Sequence, residues 1–388
     1  MSGPLAGFKI VEFEGLGPGP LAAMFLADFG AEVTVIRRRG GNAMARTLGG
    51  AGGPDVLARG KQGLVVDLKQ PEGVALALDM VAQADALIEG NRPGVMERLG
   101  LGPEACLARN PRLIYGRMTG WGQSGPLAMA AGHDLNYVAL TGLLGLGRAG
   151  DVPARPPATI VGDAIGALGL AFGIIAAAFE AKSSGQGQVV DAAIIDIAAM
   201  LGSLAFWIHG GGQLGGKHPS PFYDAPFYDN YECADGHWIT VAPLEPQFYA
   251  LMLQLLGITD APPAAQYDFS QWPAFKARLA ALFKSQPRAH WCALLEGTDA
   301  CFAPILDPRE AAAHPHHVAR GTFRVSGGTI EAMPAPRLSR TPAVAAPAPN
   351  SSGGGTAQGA PSTPPPLLAA LGLAPERLAA LRAAGVIG

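Results

Sequence analysis

Apolar residues in the first third of the chain fall into short β-branched or aromatic runs, separated by stretches of helical spacing. Residues 9–13 form one run, followed by Gly15-Leu16-Gly17-Pro18-Gly19-Pro20 and a helix-like segment over 21–29. The pattern predicts further strands at 32–36, 64–68, 86–89 and 113–118. A helix opened by Pro71 runs to about residue 83, and shorter helices fill the remaining gaps. Strands alternating with helices of about ten residues indicate a parallel sheet covered on both faces, a Rossmann-like α/β unit.

The middle of the chain is different. Residues 163–182 and 191–209 read as two long apolar helices, each with an aspartate at its start, Asp163 and Asp191. The apolar run 164–179 is short for a bilayer and rich in glycine and alanine, which points to a buried core helix rather than a membrane span. After residue 221 the texture changes. Residues 228–234 and 237–241, joined by Asp235-Gly236, read as a hairpin with short helices behind it. These features predict a large α/β domain over 1–205, completed by 318–388, then a linker at 206–224 and a smaller α+β domain at 225–317. Within the C-terminal part, 343–366 is rich in Ala, Pro, Gly and Ser and reads as a low-complexity connector to a last helix at 375–384.

Composition narrows the function classes. The chain has 388 residues, 49% hydrophobic and 15% charged, enough for two domains with extensive cores. A net charge of −3 supplies no general basic field for nucleic acid. Four dispersed cysteines without a C-x-x-C indicate reduced thiols rather than a disulfide framework or a metal site. The first residues lack a signal-peptide pattern, so a cytoplasmic protein with no membrane association is expected.

Several residues are candidates for chemistry. The turn at 15–20 lacks G-x-G-x-x-G, and two prolines remove phosphate-binding donors, so a tight strand-to-helix turn is the simpler reading. Arg37, Arg38 and Arg39 follow one strand, Arg59 and Lys61 precede another, and Arg92 follows a third. Open α/β sheets bind ligands at this carboxyl edge, so these cations are either phosphate contacts or solvated surface charges. His133, in Gly132-His133-Asp134-Leu135-Asn136-Tyr137, stands at a predicted helix start, where free N–H groups and a titratable imidazole could serve proton transfer beside an oxyanion. Taken singly, His133 has a structural alternative, Asp163 an alternative as an N-cap, and Glu245 in Leu244-Glu245-Pro246-Gln247-Phe248 one as a surface residue opening a helix.

The G-H-D-x-N-Y segment follows Arg117-Met118-Thr119-Gly120-Trp121-Gly122-Gln123-Ser124-Gly125-Pro126. With R-P-G-V at 92–95, the G-D of Gly162-Asp163 and the E-P-Q-F at 245–248, it resembles the α-methylacyl-CoA racemases of the family III CoA-transferase superfamily. That resemblance implies an interlocked homodimer acting on an acyl-CoA substrate, with no cofactor beyond the coenzyme A of the substrate and no metal. It implies that His133 and Asp163 are acid/base groups on opposite faces of the α-carbon, with His133 oriented by Glu245. A backbone N–H at Asp134 would stabilise the enolate oxygen, and the R-P-G-V match raises Arg92 and Arg37 as CoA contacts, with Arg38 and Arg59 as further candidates from the same basic clusters. Transferases of the superfamily resemble G-Y-D where this chain has Gly132-His133-Asp134, and in them the aspartate is a covalent nucleophile. A third reading is a non-catalytic acyl-CoA-binding relative. One departure stands out. The racemases read close to P-L-N-L-x-x-D-F-x-G-G-G, whereas this chain has Pro157-Ala158-Thr159-Ile160-Val161-Gly162-Asp163-Ala164-Ile165-Gly166-Ala167-Leu168, which implies a reshaped acyl pocket.

Overall fold

A computed structural model describes residues 3–41, 44, 47, 54–149, 152–153, 155–326, 328–349 and 364–388. It divides into two units, one made of Met1–Thr141, Pro156–Met200 and Thr322–Gly388, the other of Gly142–Arg155 and Leu201–Gly321. The expected linker at 206–224 lies within the second unit, and most of the expected connector, 350–363, lies outside the described residues.

The first unit is built on β1 (Lys9–Phe13), α1 (Pro18–Asp28), β2 (Glu32–Arg37), β3 (Lys61–Val65), α2 (Pro71–Ala82) and β4 (Ala86–Glu89). It continues through α3 (Val95–Arg98), α4 (Pro103–Arg109), β5 (Ile114–Thr119), α5 (Asp134–Leu140), α6 (Ile165–Ser184), β6 (Gln188–Ala193) and α7 (Ile194–Leu201). The six strands are all parallel in the order 3-2-1-4-5-6, the doubly wound arrangement. Alternate residues feed two cores. Ile10, Ile88 and Ile114 join Leu26 of α1 and Leu170 of α6 on one face. Val11, Leu87 and Tyr115 join Met80 of α2 with Leu367 and Leu381 near the C-terminus on the other. Such strands read as continuous apolar runs because both faces are buried.

β3 starts at Lys61, three residues before the expected run at 64–68. Its Lys61 hid the strand: the ammonium is buried and donates to Glu12 Oε2 at 2.7 Å and to the Pro20 carbonyl at 3.0 Å. The outer edge of β3 is covered by the C-terminal residues, where the Gly388 N–H donates to the Val65 carbonyl and Val66 bridges Ile387. That cover shields an edge that would otherwise template aggregation. The helix expected at 191–209 is instead the end of β6, then α7, then a break at Gly202 before Ser203–Gly210. Asp191 lies in the strand, where its carboxylate accepts the Gln123 N–H at 3.0 Å.

α6 is apolar on both sides. Gly166, Ala167, Leu170 and Ile174 are buried, while Leu168, Phe172 and Phe179 are 58%, 69% and 76% exposed. By length and composition its segment is apolar enough to cross a membrane, and only one face packs in the core expected for it.

The second unit holds an antiparallel sheet with Trp238–Val241 between Asp229–Glu232 and Phe302–Ile305. The hairpin matches the expected one, and the third strand is additional. Phe227, Trp272, Phe283 and Trp291 form the centre of its core with Pro246–Leu255, Trp272–Phe283 and Arg288–Leu295. All four cysteines are free; Cys106 and Cys233 are buried, and Cys292 and Cys301 are half-buried.

Candidate active site

The strand order reverses around β1, between β2 and β4, and open α/β sheets bind ligands at such a point. Two loops leave the carboxyl ends of β1 and β4 there. The first turns through Gly17, φ 69°, into α1, whose leading residue Pro18 suits a position with no partner for an N–H. A Cβ at Gly17 would lie 3.7 Å from Asp163 Oδ2, so Asp163 stands over this turn. The second carries Asn91-Arg92-Pro93-Gly94. It is pinned from below by Glu89, fully buried, which accepts the Asn91 N–H at 2.7 Å and the Arg117 Nε–H at 2.9 Å. Arg117 also donates to Glu97 of α3 at 2.8 Å. Arg92 projects from this loop as an exposed side chain.

His133 is the N-cap of α5, in extended conformation at φ −135° and ψ 174°. Its N–H donates to Asn136 Oδ1 at 3.0 Å, and the Asn136 and Tyr137 N–H groups bond back to its carbonyl. The N–H groups of Asp134 and Leu135 have no partner among the described residues, as expected for a first turn. Tyr137 fixes the approach to this helix. Its ring packs edge-on to Trp121 at 4.8 Å, and its hydroxyl donates to the Gly132 carbonyl. Side chains at Gly120 or Gly132 would come within 2.0 and 2.7 Å of that ring, so both positions require glycine. Tyr137 was part of the sequence motif, but nothing in its spacing disclosed this wedge role.

Asp163 is not the N-cap of its helix. A π-helical turn, Ile160–Ala164, precedes α6 and is entered through Thr159 in the left-handed region at φ 63°. Such single π turns occur frequently at functional sites. The cap comes from elsewhere: Asp134 Oδ1 accepts the Gly162 N–H at 2.8 Å and the Asp163 N–H at 2.7 Å. Burial raises the Asp163 pKa, the neighbouring Asp134 carboxylate raises it further, and His133 lowers it. The site thus joins His133, Asp134 and Asp163 within one unit. Glu245 belongs to the second unit, where it is exposed and opens the helix Pro246–Leu255.

The arginines divide. Arg37 is half-buried and Arg38 exposed, both at the carboxyl end of β2, and Arg38 pairs with Glu14 at 3.1 Å. Arg59 does not reach the sheet edge as a free cation. It is 3% exposed and bonds Asp28 at 2.6 and 3.1 Å, the Ala332 carbonyl at 2.9 Å and Glu331 at 3.6 Å. Asp28 is its buried counter-charge and Glu331 is shared with Arg324 at 2.7 Å, so Arg59 is engaged inside the fold, which corrects its expected place among the CoA contacts.

A model of CoA-transferase family III matches residues 5–354. The chain is 43% identical over 345 residues to the α-methylacyl-CoA racemase of Mus musculus and 41% identical over 351 residues to that of Homo sapiens, covering 88% of each chain in both comparisons. Among solved structures, a CAIB/BAIF family protein from Brucella suis superposes with a TM-score of 0.75 at 26% identity, covering 91% of this chain and 98% of that one.

Proposed function

The chain belongs to CoA-transferase family III, and from that premise we propose that it is an α-methylacyl-CoA racemase. It inverts the α-carbon of 2-methylacyl-CoA thioesters by removing a proton from one face and returning one to the other. Two acid/base groups in opposite protonation states are needed. His133 serves one face and Asp163 the other. The observation that carries this reading is the linkage of these two groups through Asp134, whose Oδ1 accepts the Asp163 N–H at 2.7 Å; burial, and then the Asp134 charge, raise the Asp163 pKa. That direction favours the protonated form, which the returning step uses. The enolate oxygen formed between the steps is stabilised by the unpaired N–H groups at the start of α5. One such donor contributes about 3–4 kcal/mol in comparable sites. The route asks for no metal or redox cofactor.

Arg92 and the pair Arg37 and Arg38 flank the point of strand reversal and take the CoA phosphates. The enzyme works as a homodimer in which Glu245 of the partner subunit orients His133. The exposed apolar face of α6 supports an association of this kind, since unpartnered surfaces rich in Leu and Phe mark interfaces.

The test is proton NMR of 2-methyldecanoyl-CoA with the enzyme in deuterium oxide, without any free carboxylic acid. Loss of the α-proton signal from both epimers is the expected outcome. CoA appearing on an added acid, with no α-proton exchange, would instead make Asp163 a nucleophile and the enzyme a transferase.

A further inference from the structure

The Asp134 side chain, which links the two acid/base groups, does more than add a charge beside Asp163. We propose that its carboxylate is the positioning residue that fixes Asp163 relative to His133, by capping from outside the turn on which Asp163 rides.

The helix carrying Asp163 has no cap of its own, because Thr159 makes no side-chain bond to the first turn. Its leading N–H groups would be orphans. Asp134 Oδ1 accepts two of them, at 2.8 Å from Gly162 and 2.7 Å from Asp163, across 28 and 29 residues of sequence. The fit is close at the backbone level. A Cβ on Gly162 would stand 2.4 Å from Asp134 Oδ1 and 3.2 Å from Asp134 Cα, so glycine is what allows this approach. Charge-assisted bonds from backbone N–H to carboxylate are about twice as strong as neutral ones.

Asp134 follows His133 directly, so this single side chain ties the peptide bearing one acid/base group to the peptide bearing the other. A flexible joint here would let the two groups drift apart on opposite sides of a small α-carbon. The carboxylate also places a fixed negative charge beside Asp163. The other titratable groups facing Asp163 are His133 and Tyr137, both from the start of α5. α1, packed against the same turn, has no acidic group in its first turn, and neither does α6. The charge beside Asp163 is therefore set mainly by Asp134 and His133.

This inference rests on the racemase reading, and its test has one readout that does not. In the full-length enzyme, Asp134→Asn keeps an oxygen acceptor and removes the charge, whereas Asp134→Ala removes both. Hydrogen–deuterium exchange of the peptide spanning 157–168 should speed up in Asp134→Ala and return close to wild type in Asp134→Asn, whatever the reaction. In α-proton exchange, Asp134→Ala should lose about 100-fold in kcat from both epimers, the cost of a misplacement of about 1 Å, with KM changed far less. Asp134→Asn should recover much of that rate. The pH limb of its profile belonging to Asp163 should move to lower pH, a shift that mere loosening of the fold would not produce. Unchanged exchange at 157–168 in Asp134→Ala overturns the proposal, as does an Asp134→Asn profile that overlays wild type. Faster amide exchange in Asp134→Ala, together with a wild type that inverts nothing, would leave the cap in place and remove the racemase reading instead.

Discussion

Thr159 holds a conformation that its side chain resists. It is one of two non-glycine residues at positive φ among the described residues, the other being Cys301, and it is β-branched and exposed. Left-handed backbone is rare for such residues and costs on the order of 1–3 kcal/mol, whereas asparagine adopts it readily. The racemase pattern places an asparagine at this position, so the departure at 159 is a local strain as well as a change of pocket. Thr159→Asn is expected to stabilise the protein by about 1 kcal/mol, read as a rise of about 2–4 °C in thermal midpoint. No rise would mean that the turn is held by something other than its own backbone preference. Other residues were legible only in part. His133 and Asp163 stand out because they recur in short phrases with chemical meaning. The Asp134 carboxylate and Arg59 do not, because their partners are remote: Gly162 and Asp163 for the one, Asp28 and Glu331 for the other. Sequence spacing carries no record of contacts over such distances.

At the scale of elements, the strands with two buried faces were readable. Residues 86–89 match β4, and 32–36 falls one residue short of β2. The edge strand β3 starts ahead of the expected run because Lys61 looks like a loop residue until its buried pairing with Glu12 is known, and the next residue, Gln62, is exposed. The last helix at 375–384 was anticipated and corresponds to Pro375–Ala383. The preceding turn of helix, Pro366–Ala370, was lost in the proline-rich composition before it, although Leu367 and Leu368 are buried in the core beneath the sheet. Leu367 is fully buried there, so Leu367→Ala should cost about 2–5 kcal/mol in chemical denaturation. A cost below 1 kcal/mol would show that the C-terminal segment only rests on the sheet.

At the scale of the molecule, the two units should answer acid differently. In the second, the Glu310 carboxylate accepts the N–H of the N-cap residue Asp307 at 3.0 Å and pairs with Arg288, whose guanidinium holds the Glu310 pKa down to about 2. A depressed folded-state pKa contributes stability above the ordinary glutamate value of 4.5 and loses it as pH falls toward about 2. Glu89 and Asp163 in the first unit are raised, chiefly by burial. Their contribution is full below the ordinary carboxylate range and lost as pH rises through their folded-state values. Fluorescence from Trp272 and Trp291, buried in the second unit, should therefore report an acid transition below pH 4.5 that is shallower in Glu310→Gln. An unaltered acid curve in that variant would remove the ion pair as its cause.

The first unit is written in three separated pieces, with the second unit's residues between them. On the ribosome, the sheet face bearing Leu87 and Tyr115 emerges long before Leu367, Leu381 and Ile387, which complete its core. At about 5–20 residues per second, that face waits on the order of ten seconds or more with bare apolar side chains. The core of the second unit, formed between Ala225 and Phe302, is by then already synthesised. In a nascent chain of this design the core of the inserted unit is complete in sequence well before the face bearing Leu87 and Tyr115 can be covered.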